Sequence, residues 1–226
     1  METRETIVFN KVQITDLDIN NIVNIFESQR YTEELGIGFT YVHLEDSTIA
    51  AKVLVRTPSY IQNYNLHENV FEKNIVNIYD EIEIVLDFLN GLIYSNSSTT
   101  KFNKAKGLIQ KCLRPHVVFN NIEYSAETMI KNIQSLGWTP RIVDLSIKKF
   151  VYKEGAVGRL SLHINNAELG NELFEIYSKN LAKLTISVES SVFSNFILSI
   201  TSQNSLTIRS EESELWQIIN NIKQTL

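Results

Sequence analysis

Residues 81–115, EIEIVLDFLNGLIYSNSSTTKFNKAKGLIQKCLRP, read as a β-hairpin followed by an amphipathic helix. Side chains alternate along a strand, so Ile82, Ile84, Leu86 and Phe88 fall on one side and Glu81, Glu83 and Asp87 on the other. Asn90-Gly91 accepts the positive φ angles of a tight hairpin turn, and Leu92 to Tyr94 forms the return strand. Ser97 to Thr100 supplies capping oxygens for the helix, and Pro115, which cannot continue one, stops it.

The same hairpin–helix order recurs twice downstream. RIVDLSIKKFVY (141–152) turns at Lys153-Glu154-Gly155 into VGRLSLHI (157–164), and a helix follows over AELGNELFEIYSKNLAKL. TISVESSVF (185–193) and FILSITS (196–202) turn around Gln203-Asn204 into SLTIR, and a closing helix follows that Ser210 and the acids Glu211 to Glu214 begin. A linking helix, SAETMIKNIQSLG, runs from Ser125 to Gly137. Upstream, TIVFNKVQI is a strand and Asp16 or Asp18 caps a helix carrying Ile19, Ile22, Val23, Phe26 and Arg30, which Leu35-Gly36 ends. IGFTYVHL and TIAAKVLVR then pair across Glu45-Asp46-Ser47.

Helices are therefore expected near 17–34, 99–114, 125–136, 166–182 and 211–225. Because hairpins, not single strands, alternate with helices, the expected class is α+β: antiparallel sheet built from hairpin–helix units, with helices packed on one face. Residues 57–77 fit neither period, being polar and rich in Asn and Tyr, and are where a division would fall, into a 1–66 N-terminal lobe and a 67–226 C-terminal lobe, the alternative being one compact domain.

Composition bounds the function classes. One cysteine, Cys112, excludes an intramolecular disulfide framework. The N-terminal stretch lacks an apolar signal-peptide core and no stretch is long and apolar enough to span a bilayer, so a soluble cytoplasmic protein with no membrane partner is expected. The 28 Ile and 23 Asn have AT-rich codons and hint at a low-GC bacterial or mobile-element origin, such as a phage-defence accessory protein.

Catalytic signatures do not emerge. His43, His67, His116 and His163 are scattered without zinc-ligand spacing, and Gly36-Ile37-Gly38 is too short to cradle a phosphate. No cofactor, metal site or catalytic residue is expected. The exception weighed is Glu81, Glu83 and Asp87, whose shared face admits a metal-dependent, nuclease-like enzyme, although strand alternation alone accounts for a solvated acidic face. Cys112 falls on the apolar arc of its helix and is expected to be buried.

The net charge of −5 is unevenly divided: −9 over residues 1–98, +7 over 99–159 and −3 over 160–226. Lys101, Lys104, Lys111 and Arg114 leave the apolar arc of one helix, and Arg141, Lys148 and Lys149 follow in the next hairpin. Clustered cations bind phosphates by counterion release, and Tyr94, Phe102, Trp138, Phe150 and Tyr152 are candidates to stack on bases. The competing reading docks this segment internally against the acidic N-terminal region. The expectation is a non-enzymatic binding or assembly component that contacts a protein partner or a second copy of itself, and nucleic acid through 99–159.

Overall fold

Capping oxygens set the helix starts. Asp18 accepts from the backbone N–H of Asn21, Ser98 from Lys101, Ser125 from Thr128, and Asn166 from Glu168 and Leu169. A computed structural model of the chain describes residues 1–122, 125–201 and 205–226, the side chain of Tyr152 excepted. Its elements begin with β1 (Glu2–Ile14), α1 (Ile19–Ser28), β2 (Ile37–Glu45), β3 (Thr48–Asn65), β4 (Val70–Asp87) and β5 (Leu92–Ser95). Then come α2 (Thr99–Leu113), β6 (Val117–Asn120), α3 (Ala126–Ser135), β7 (Thr139–Lys153) and β8 (Ala156–His163). The chain closes with α4 (Ala167–Tyr177), a 3-10 turn (Ser178–Asn180), β9 (Leu181–Glu189), β10 (Phe196–Thr201), β11 (Ser205–Glu211) and α5 (Leu215–Lys223).

This is an α+β chain of mostly antiparallel sheet, with five α-helices among the described residues. No helix among them is long and apolar enough to cross a membrane. The chain forms two compact units, one of residues 11–119 and one of residues 1–10 with 120–226, and passes between them inside β1 and inside β6.

In the 11–119 unit, β2, β3, β4 and β5 are successive neighbours. Ile49, Ala51 and Val53 of β3 lie opposite Leu86, Ile84 and Ile82 of β4, and all six are buried. Helix α1 packs on β2, and α2 on β4 and α1. Phe26 of α1 stacks on Phe39 at 4.4 Å between centroids. In the other unit the order runs β1-β11-β10-β9-β7-β8, with α3 and α4 on β7 and α5 on β11.

The hairpin–helix units at 81–114 and 141–177 appear, with Gly91 and Gly155 at positive φ in their turns, but the second helix ends at Tyr177 and not near residue 182, because Leu181 to Leu184 pair with β7 as the start of β9. The first loop spans four residues, Phe88 to Gly91, because Asp87 pairs with Leu92 and its carboxylate accepts from the Asn90 backbone and side chain at 3.1 and 2.9 Å. The expected turn at Gln203-Asn204 lies outside the described residues.

Several boundaries differ from the sequence reading. Helix α1 ends at Ser28 rather than near Leu35, because the Gln29 and Tyr31 backbones bond to Phe39 of β2 instead of continuing the helical ladder. Ser210 does not cap α5: residues Glu2 to Val8 of β1 extend β11 to Glu211, and the helix begins only at Leu215. Residues 57–77 are not a linker. They are the outer part of the β3–β4 hairpin, and residues 66 and 67 lie in its turn.

Candidate functional site

Strands β3 and β4 pair continuously from Thr48↔Asp87 to Asn65↔Val70. The buried side chains stop at Val55 and Ile82; from Thr57↔Ile78 outward, neither strand holds a buried residue. These nine pairs form a bare two-stranded arm about 30 Å long at roughly 3.3 Å per residue. Tyr60 lies opposite Ile75 and Tyr64 opposite Phe71, all on one face of the ribbon. Tyr60 is 70% exposed, Phe71 66% and Ile75 66%. Ile61, Val70 and Ile78 are exposed on the reverse face.

Cross-strand contacts stiffen this arm. Tyr64 and Phe71 meet at 5.0 Å between ring centroids, the Tyr64 hydroxyl donates to Asn69 Oδ1 at 3.0 Å, and Asn65 Nδ2 donates to Glu72 at 2.6 Å. At its base the Tyr79 hydroxyl donates to the Glu33 carboxylate at 3.1 Å, which also pairs with Arg56 at 3.1 Å. Polar, β-breaking composition concealed the arm in the sequence. The legible signal was the alternation of Tyr60, Tyr64, Phe71 and Ile75.

The acidic strand is internally engaged. Lys52 of β3 pairs with Glu81 at 3.0 Å and Glu83 at 2.9 Å, while Asp87 is buried and holds the turn after β4. No group of three metal-ligating side chains occurs among the described residues.

The seven expected basic residues divide between the units. Lys101 and Lys104 converge on Asp80 at 2.8 and 3.5 Å, and Lys104 also donates to Thr57 at the arm base at 3.3 Å. The hydrogen bond from Lys101 holds the Asp80 carboxyl below its usual range; burial opposes this and Lys104 reinforces it. Lys106 lies over Phe102 at 4.9 Å and Phe119 at 5.9 Å, with its pKa lowered by burial. Lys111 and Arg114 are exposed at the C-terminal end of α2, where cations complement the helix dipole.

In the other unit Arg141 donates to the Asn165 carbonyl at 3.0 Å. Lys148 and Lys149 line a cleft of about 430 Å³ together with Lys179 and Lys183, Ser125, Ser178, Asn180 and Thr201. Among the described residues that line the cleft none is acidic or aromatic, and the Glu127 carboxylate accepts from the Ser178 hydroxyl at 2.7 Å. Lys183 is also shared with an adjoining groove that holds Asp144, His163, Arg4 and Arg209. There His163 Nδ1 sits 2.8 Å from Asp144; in a neighbouring groove that shares both residues, Arg159 donates to Ser146 at 2.7 Å.

Lys179 and Lys183 escaped the sequence reading because they lie in a segment of net negative charge, where only the fold brings them beside Lys148 and Lys149. The pairing of His163 with Asp144 was hidden by bulges. A regular register from Lys153↔Ala156 would set His163 opposite Ser146, and the irregularities in β7 shift it to Asp144.

The aromatic candidates for base stacking are mostly core. Tyr94, Phe102 and Trp138 are buried, Trp138 packing edge-on against Phe193 and Phe196, and Phe150 is half-buried with Tyr177 6.1 Å away. Tyr152's side chain lies outside what is described. Cys112 is half-buried rather than buried, one position off the centre of the apolar arc of α2, and burial raises its thiol pKa against the opposing charge of Lys111. A comparison with protein-family models and with curated proteins finds no match for this chain.

Proposed function

We propose that this protein is a non-enzymatic binding or assembly component that engages a partner protein, or a second copy of itself, through the β3–β4 arm. The observation that carries this is the arm's solvent-facing aromatic and aliphatic face, Tyr60, Tyr64, Phe71 and Ile75, on a ribbon with no core beneath it. Isolated hairpins are marginal in water, and a contiguous exposed apolar patch marks an interaction site. The same reading has the helices of each unit covering a single face of its own sheet. The parity of Ile49, Ala51 and Val53 against Lys52 and Arg56 supports it, one set buried and the other half-exposed.

A photo-crosslinking amino acid placed at Tyr60 or Ile75 tests the proposal in cells. The expected outcome is one discrete crosslinked species, identified by mass as a partner or as a dimer of the chain. Diffuse or absent crosslinking from both positions, with the protein folded, overturns it.

A second reading, contact with nucleic acid through the basic 99–159 segment, is favoured by Lys148 and Lys149 facing one cleft. Of the α2 residues in that set, Lys101 and Lys104 share the single carboxylate of Asp80, which supports internal docking for that half of the segment.

A further inference from the structure

Adjacent residues in a regular strand face opposite sides of the sheet, so Lys148 and Lys149 should diverge. They do not. Opposite β8 the register slips between Ile147↔Leu160 and Phe150↔Gly158, which leaves two residues of β7 against the single Arg159. Lys149 adopts φ +53, a left-handed conformation uncommon for a residue with a Cβ. A bulge of this kind re-aims side chains, and here both residues line the cleft that Lys179 and Lys183 also line. These four residues come from three local devices: two from the bulge, one from the 3-10 turn, one from the half-exposed face of β9.

Among the described residues no carboxylate pairs with Lys149, Lys179 or Lys183. Gathering like charges costs folding free energy, and an anion bound at the cleft offsets it. The lining also holds the Asn180 amide, which can donate to an anion oxygen, and the start of α3 at Ser125 and Ala126, the positive end of a helix dipole, while the Ser178 hydroxyl donates to the Glu127 carboxylate at 2.7 Å. The cations and amide donor of the described lining suit phosphate oxygens.

We infer that this cleft is a binding site for a ligand carrying two or more adjacent phosphates, held by Lys148, Lys149, Lys179 and Lys183. It shares the anionic partner of the nucleic-acid reading but not its α2 residues, and it is independent of the arm. The shared chemistry is a run of phosphates, supplied either by a free polyphosphate or by a nucleic-acid backbone.

The full-length chain is titrated at low salt with sodium tripolyphosphate, read by thermal stabilisation, and with a short labelled single-stranded oligonucleotide, read by anisotropy. Saturable binding of both probes assigns the site to free polyphosphate and backbone alike; binding of the oligonucleotide alone assigns it to the backbone. The Lys149→Gln and Lys183→Gln pair should weaken binding by at least about tenfold and lower the oligonucleotide salt slope by about two, since each neutralised phosphate contributes nearly one unit. Lys183→Arg should retain binding, which separates charge from folding, and Lys111→Gln with Arg114→Gln should leave it unchanged. Binding of neither probe overturns the inference. So does binding that survives the first pair, or that is abolished only by the α2 pair, the last outcome returning the polyanion to the basic helix.

Discussion

Gly38 is the position at which the smallest change should do the most harm. A Cβ built there would collide with the backbone of Tyr31, where the chain leaving α1 crosses β2 through the Tyr31–Phe39 hydrogen bond of 3.1 Å. Because a backbone cannot yield as a side-chain tip does, Gly38→Ala is expected to lower unfolding free energy by about 1–3 kcal/mol in urea titration. Asp80 makes a pH prediction. Its folded carboxyl titrates below the unfolded value through the Lys101 hydrogen bond, so its contribution is present above the unfolded pKa and disappears as pH falls through the folded one. Asp80→Asn should therefore cost stability at neutral pH, about 0.5–1 kcal/mol for so exposed a pair, and the difference from wild type should vanish in acid. Cys112 works in the opposite sense. Burial raises its pKa, so thiolate-dependent labelling of the native protein should be slower at neutral pH than in the unfolded chain and should catch up only at higher pH. Equal rates at neutral pH would contradict that environment.

At the scale of elements, the arm is separable from the core that carries it. Buried side chains end at Val55 and Ile82, so replacing residues 57–78 by Asn-Gly, which closes a two-residue hairpin, should leave the 11–119 unit folded. Circular dichroism and urea unfolding of the shortened protein are expected to match wild type within about 1 kcal/mol, less the bond from Lys104 to Thr57. A collapse of cooperative unfolding would show instead that the arm stabilises the fold. The elements with clear local signals were legible beforehand: α2 and α3 begin at the serines that cap them, and the turn after β7 sits at Glu154-Gly155. The arm was not, because a ribbon solvated on both faces sets the sparse alternation of Tyr60, Tyr64, Phe71 and Ile75 among polar residues, and α5 began late because β1, more than two hundred residues away, had extended β11.

Across the whole molecule, charge shows most plainly what sequence and fold each contribute. The sequence by itself determined the class: alternating apolar runs joined by Asn, Gly and Glu-Gly turns can bury one face only as antiparallel hairpins, and helices of three-to-four periodicity must cover apolar surface. It also determined that Lys and Arg concentrate between residues 99 and 159. Where those cations gather was decided by tertiary structure alone. Asp80 of β4 takes up Lys101 and Lys104, whereas the β7 bulge and the start of β9 bring Lys148 and Lys149 to Lys179 and Lys183. The division of the chain was likewise a tertiary outcome, since both passages between units lie inside strands, where no glycine, proline or charge run announces a boundary. The physical reason is common to these cases. Periodicity and capping are local and are written within a few residues, but strand register, bulges and ion pairs depend on residues tens to hundreds of positions apart, whose meeting only the folded chain specifies.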